Sequence, residues 1–286
     1  MLSLFCSLLA ANFLVMSDRS QFWDADKISN QTKVIEAGKE ANVNFAEFIG
    51  KRVLLLVHGF NNSSEDAMNT YNQINKNLSS FNLYDTVIGY LWPGYGNRLE
   101  YFSAEKNAKA LADRMRLHLN LLSFFATEVD LLAHSMGNRL VLEALESDSH
   151  QQNRKLIDNF YSLAPAVDDD SIEQNHTYYH STEQCKKIFV FHSACDDVLK
   201  ILYVIAEENK ALGSQGDGNP KLMPKNVQFV DCSDFVHGHS DYFTVPSLYA
   251  FIKNQQTHKI PSLPNVKLLA DGLTSPINAA VLSKQE

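Results

Sequence analysis

Short apolar runs alternate with longer amphipathic stretches along most of the chain, and each change of period marks an element. Val53–Val57 (VLLLV) is continuously apolar, which predicts a strand buried on both faces. Ser64–Leu78 follows with helical spacing, with Ser63 or Ser64 as its N-cap. Val87–Trp92 predicts a second buried strand, stopped by Pro93-Gly94. Arg98–Leu122 predicts a long helix with Leu99, Phe102, Leu111, Met115, Leu119 and Leu122 on roughly one face. Glu128–Ala133 predicts a third strand that runs into His134-Ser135-Met136-Gly137, with Asn138–Ser147 as the helix after it. Phe160–Leu163, Lys187–Phe191 and Val227–Val230 read as further strands, and Val198–Glu208 and Val245–Lys253 as helices. Ala211–Lys225, rich in Gly, Pro and Asn, reads as a loop, and residues 260–286 carry little pattern.

Strands without polar positions, alternating with helices, mean an α/β fold with a mostly parallel sheet. In such sheets, ligands bind outside the carboxyl ends of the strands. The residues that follow each strand are therefore the ones to inspect: His58-Gly59-Phe60-Asn61, Trp92-Pro93, His134-Ser135, Ala164-Pro165, His192–Asp197 and Asp231–His239.

The N-terminal run Met1–Met16 is apolar and is followed by the polar triplet Ser17-Asp18-Arg19. A secretory signal starts with a cation and ends in a small-x-small site, and this run has neither in good form. It is also shorter than the ~20 residues a spanning helix needs, so no stable membrane span is expected. A first strand or helix is the favoured reading of residues 1–16, a signal or anchor the alternative. The 33 acidic residues exceed the 25 basic ones, for a net charge of −8, and no basic stripe breaks this excess. That balance argues against nucleic acid as a partner. Four cysteines (Cys6, Cys185, Cys195 and Cys232) show no paired or zinc-type spacing, which fits thiols of a reducing compartment. A cytoplasmic location is expected, with secretion or membrane association through the apolar N-terminus as the alternative.

Ala133-His134-Ser135-Met136-Gly137 lies between a predicted strand and a predicted helix. It is the G-x-S-x-G nucleophile pattern with alanine in the first place. A serine nucleophile needs a base, because an alcohol is protonated near neutral pH, and the base needs a third group to orient it. In the order Ser, acid, His, the acid follows a strand and the histidine comes late. Asp196 and Asp197 both follow the Lys187–Phe191 strand, and His237 and His239 both follow Val227–Val230. If the segment were extended, both histidines would point the same way, so spacing alone does not choose between them. Gly238 permits a turn that would make them diverge.

Val57-His58-Gly59-Phe60-Asn61-Asn62, Trp92-Pro93-Gly94, the AHSMGNR segment Ala133–Arg139 and Gly238-His239-Ser240 together resemble the alpha/beta-hydrolase superfamily. They are similar in particular to a bacterial subfamily of poorly characterised serine hydrolases. The resemblance spans roughly residues 13–251. It implies an alpha/beta-hydrolase fold, with a mostly parallel central sheet and helices on both faces, as a single domain over residues 1–286. It implies Ser135 as nucleophile, Asp196 as acid through Ser193-Ala194-Cys195-Asp196, and His239 as base, with Asp197 and His237 as the alternates. The Phe60 and Met136 N–H groups would form the oxyanion hole, supported by His58, Gly59 and Gly137, with Asn61 or Asn62 bracing the loop. One departure stands out: the resembled subfamily tends to carry Ala-Pro-Asp where this chain has Ala164-Pro165-Ala166.

His134 reads as a packed structural histidine, and Asp168-Asp169-Asp170 as a solvated loop and helix start. His237-Gly238-His239 is an H-x-H without the further ligands of a metal site, so neither a metal nor a cofactor is expected. The expected activity is hydrolysis of a carboxylic ester of a small-molecule acyl substrate. A thioesterase, amidase or peptidase with the same three residues, and a non-catalytic binding protein on the same fold, are the alternatives.

Overall fold

Side chains of a strand alternate between its two faces, so a strand with no polar position must be covered on both. The computed structural model describes residues 13–21, 27–36, 39–94, 100–146, 154–216, 219, 221–257 and 263–277. Its strands are β1 (Phe13–Arg19), β2 (Ile28–Glu36), β3 (Lys39–Asn42), β4 (Arg52–Val57), β5 (Thr86–Leu91) and β6 (Glu128–His134), followed by β7 (Ile157–Leu163), β8 (Cys185–His192), β9 (Val227–Asp231), β10 (Asn265–Leu268) and β11 (Thr274–Pro276). They form an eleven-stranded sheet in the order β11-β10-β9-β8-β7-β6-β4-β5-β1-β2-β3. Pairing is parallel from β10 across to β1, and antiparallel only where β2, β3 and β11 are added at the two edges.

The main helices are α1 (Ser64–Ser79), α2 (Tyr101–Phe125), α3 (Met136–Glu146) and α4 (Pro246–Thr257). β4 shows how they cover the sheet. Val53, Leu55 and Val57 pack into one apolar cluster with α2 and α3, while Leu54 and Leu56 pack into a second with α1 and α4. All five are at most 1% exposed, and each such burial contributes about 1.5–3 kcal/mol. The mostly parallel sheet with helices on both faces is thus the expected fold class. Among the described residues no helix is long and apolar enough to cross a membrane.

Several boundaries differ from expectation for physical reasons. Of the two expected caps of α1 it is Ser63 that serves: its Oγ accepts from Asp66 N (3.0 Å) and Asp66 Oδ2 accepts from Ser63 N (3.2 Å). On α2, Leu111, Met115, Leu119 and Leu122 are buried, but Phe102 is 61% exposed. At about 100° per residue Phe102 lies half a turn away from Leu111, and Ala104 and Ala108 continue the inner face instead. Leu99 lies outside the described residues. Strand β1 continues through Ser17-Asp18-Arg19, all three buried, so the first element does not stop at the polar triplet; Met1–Asn12 lies outside the described residues. In place of one helix over Val198–Glu208 there is a π-helical turn, Val198–Tyr203, and an α-helical turn, Val204–Glu207. The loop expected over Ala211–Lys225 contains a helical turn at Leu212–Gln215, and the pattern-poor tail supplies β10 and β11. Cys185, Cys195 and Cys232 are free thiols, and Cys6 lies outside the described residues.

Candidate active site

β6 ends on His134 and α3 starts on Met136, so the chain reverses at Ser135 alone. Ser135 has a φ of 53°, in the left-handed region that costs a side chain energy. The surroundings hold it there. Ser135 N donates to Leu163 O (3.0 Å), and Ser135 O accepts from Asn138 N (3.0 Å), Asn138 Nδ2 (3.1 Å) and Ala166 N (3.3 Å). The turn also needs small neighbours. A Cβ on Gly137 would lie 2.4 Å from His58 O, and one on Gly59 would lie 2.8 Å from Ser135 Cβ. The end of β4 therefore rests directly against the reversal at the end of β6.

His239 Nε2 lies 2.8 Å from Ser135 Oγ, and His239 Nδ1 lies 2.7 Å from Asp196 Oδ2. With Nδ1–H donating to the carboxylate, Nε2 is free to accept the serine proton. Asp196 is fully buried and its Oδ1 accepts from Leu199 N (3.1 Å). The loops bearing Asp196 and His239 are tied together: Ser193 Oγ donates to Val236 O (2.6 Å), and Ala194 N to Ser233 Oγ (3.0 Å). His134 packs against the His239 ring at 4.7 Å, and its Nε2–H donates to His239 O (2.8 Å). Burial, with the nearby His239, pushes the His134 imidazole down to about 3, so it stays neutral while it holds that carbonyl.

Phe60 N–H and Met136 N–H have no hydrogen-bond partner among the described residues. The turn that carries Phe60 is held from several sides. Asn62 Nδ2 donates to Phe60 O (3.0 Å) and Gly59 O (3.3 Å), and Asn61 N donates to Gly94 O (2.6 Å). His58 stacks on the Trp92 ring (5.6 Å, 14°), and Trp92 Nε1 donates to His58 O (2.8 Å). Beneath both turns lies Arg19, 1% exposed, at the carboxyl end of β1. Its Nε donates to Trp92 O (3.0 Å), Nη1 to Ser64 Oγ (2.7 Å), and Nη2 to Asn62 O (2.9 Å) and His58 Nε2 (3.1 Å). His58 Nδ1–H donates to Gly59 O (2.8 Å), which leaves Nε2 as the acceptor. Burial and the Arg19 charge hold His58 well below its ordinary pKa, and burial lowers Arg19 itself to about 10.

Residues 36–255 match the family described as Alpha/beta hydrolase of unknown function (DUF900). The chain belongs to this family. Several solved structures match the chain at low sequence identity and with TM-scores below 0.5. Lipase B of Aspergillus fumigatus is 14% identical, with a TM-score of 0.47, over 78% of this chain and 56% of the lipase; the chain thus spans little more than half of that protein's length. Est1E from Butyrivibrio proteoclasticus is 15% identical over 72% of this chain and 88% of its own, with a TM-score of 0.39. A truncated carbohydrate esterase from gut microbiota is 11% identical over 82% and 93%, with a TM-score of 0.38. No curated protein matches the sequence.

Within this alpha/beta-hydrolase chain, Ser135, Asp196 and His239 come together, and the alternates do not join them. Asp197 and His237 are exposed, and His237 N donates to Asp241 Oδ2 (3.1 Å). Of the two asparagines in the Phe60 turn, Asn62 braces it with its side chain, and Asn61 takes the left-handed φ of 57°. Ala166 is buried and offers its N–H to Ser135 O (3.3 Å). Sequence reasoning missed Arg19, because a polar triplet after an apolar run reads as an element's end. It gave no role to Asn138, whose fully buried amide joins Ser135 O to Leu163 O (3.0 Å), although a polar side chain two residues into an apolar helix was the available signal. Asp168 does not lie free in solvent; its Oδ1 accepts from Tyr203 OH (2.8 Å).

Proposed function

We propose that the protein is a serine hydrolase that cleaves carboxylic esters of small acyl substrates through an acyl-enzyme. The observation that carries this reading is the continuous hydrogen-bonded chain from Ser135 Oγ through His239 to buried Asp196, at a strained reversal beside two N–H groups without partners. Ser135 Oγ attacks the acyl carbonyl carbon, and His239 Nε2 takes its proton. Phe60 N–H and Met136 N–H hold the oxygen as it becomes negative. His239 then returns the proton to the leaving alkoxide, and the alcohol departs. Water repeats the sequence on the acyl-enzyme and releases the acid. Asp196 keeps the proton on Nδ1 and stabilises the imidazolium. None of these steps calls on a metal or an organic cofactor. A fluorophosphonate probe tests the reading: it should label Ser135 covalently in the folded protein and not after urea denaturation. Equal labelling before and after denaturation, or none at Ser135, would sink it.

The assignment of acid and base separates by substitution. His239→Ala and Asp196→Asn should each lose at least about 10²-fold in kcat on a soluble ester at neutral pH, while His237→Ala and Asp197→Asn stay within about twofold. The expectation follows from reach, since the His237 and Asp197 side chains face solvent. The opposite pattern in either pair reverses that assignment.

A further inference from the structure

A surface helix is expected to be apolar toward the core and polar toward water. The helical segment Val198–Glu207 breaks that rule. Leu199 and Tyr203 are buried at 1% and 3%, yet the opposite face is also apolar. Val198, Ile201, Leu202 and Ile205 stand 38%, 53%, 48% and 73% exposed. The pairs Val198/Leu202 and Ile201/Ile205 are four apart, so they form one stripe. Lys200 and Glu207 are the charged residues of the segment, and both lie outside this four-residue stripe. An exposed apolar patch of this kind marks an interaction surface.

The segment that bears the stripe is tied to the candidate active site at both ends. Val198 follows Asp196 by two residues. At the other end, Glu207 Oε1 accepts from Arg139 Nη2 (2.6 Å) and from Tyr101 OH (2.9 Å). Arg139 is four residues beyond Ser135, and the Tyr101 ring meets Phe60 edge-on at 5.6 Å. Phe102, 61% exposed, extends the same aromatic row outward from Tyr101 at 5.6 Å. The stripe is thus hung between the loop of the acid and the turn of the oxyanion donor.

The area and the charge choose its occupant. These side chains with Phe102 expose roughly 400–600 Å² of apolar surface, a functional patch in size but below the ~800 Å² that each partner of a stable complex buries. The stripe itself carries no charge, and the whole chain is at −8, which disfavours an anionic surface. We propose that this stripe docks on a neutral, zwitterionic lipid surface and presents Ser135 to apolar esters held there. Docking itself is independent of hydrolysis; only the presentation of esters rests on the proposed ester chemistry.

The test uses the full chain with phosphatidylcholine vesicles. A Ser135→Ala protein should float with the vesicles, and adding Ile201→Gln, Leu202→Gln and Ile205→Gln should cut the bound fraction at least about tenfold with an unchanged circular dichroism spectrum. With Ser135 intact, the triple variant should keep its turnover of a short soluble ester within about twofold and lose at least about tenfold on a long-chain ester presented in vesicles. Ile205→Glu alone gives a milder version of the same result. A parent that does not float, or a triple variant that floats equally well, overturns the proposal. So does a parent that is dimeric by light scattering, becomes monomeric in the triple variant and ignores vesicles, since a second copy would then be the occupant. Flotation without any ester turnover leaves docking standing and removes the ester reading; soluble-ester turnover without flotation does the reverse.

Discussion

Replacing Ser135 with alanine is expected to lower kcat on a soluble ester by roughly 10³ to 10⁶ while leaving the fold intact. The loss should be large because the variant removes the attacking oxygen. The proposed donors Phe60 N–H and Met136 N–H remain, so a trace of rate above the uncatalysed reaction should persist. Stability should change little. Alanine and serine pay a similar backbone cost at a φ of 53°, and the bonds that hold the turn run through backbone atoms and Asn138, not through Ser135 Oγ. A steady-state kinetic comparison and a urea midpoint on the same preparations check both halves. Equal turnover by purified Ser135→Ala protein would refute the serine mechanism, and a collapsed midpoint would show that the hydroxyl supports the turn.

The parts of the fold legible from the sequence are those where a single physical cause dominates. β4, β5 and β6 are covered on both faces, and burial leaves runs such as Val53–Val57 and Leu131–Ala133 in which apolar residues follow one another without alternation. β2 and β3 form an edge ribbon in which Asn30, Gln31, Glu40, Ala41 and Asn42 are exposed, so ISNQTKVIE and KEAN offer no such run and pass unread. β10 and β11 are three or four residues long and vanish into the tail for the same reason. The candidate site divides likewise. Ser135 is legible because the reversal demands small residues at fixed offsets, and the clearances at Gly59 and Gly137 give the reason. The choice of His239 over His237 is not legible from spacing. It depends on how the turn after β9 packs on His134, which holds the His239 carbonyl. Arg19 is hidden for a further reason: its partners are two carbonyls, a hydroxyl and an imidazole from three other segments, none of which a local pattern connects to it.

Arg19→Met is expected to lower the stability and slow the reaction together. The guanidinium, 1% exposed, donates to Trp92 O, Asn62 O, Ser64 Oγ and His58 Nε2 at once, while Trp92 O also accepts from Gly94 N (2.8 Å) and His58 Nε2 from Trp92 N (3.3 Å). Each buried acceptor left without a bond costs about 1–3 kcal/mol, and the total is offset in part by the bonds that Trp92 O and His58 Nε2 keep and because a buried cation no longer has to be desolvated. A net loss on the order of 3 kcal/mol follows, measurable as a lower urea midpoint at unchanged slope. The kinetic effect has a separate cause. Asn62 and His58 flank Gly59-Phe60, so loosening them displaces the Phe60 N–H relative to Ser135. Full loss of one oxyanion donor costs about 10²–10³ in kcat, so a displaced one should cost about 10–100-fold, with KM for a soluble ester nearly unchanged. Arg19→Lys keeps the charge but cannot span four acceptors from a single ammonium, and should recover part of the stability and less of the rate. A variant that loses stability but keeps its full kcat below the unfolding transition would show that Arg19 supports the fold without positioning Phe60. If Arg19→Met is too unstable to assay, the same comparison on Arg19→Lys decides the point.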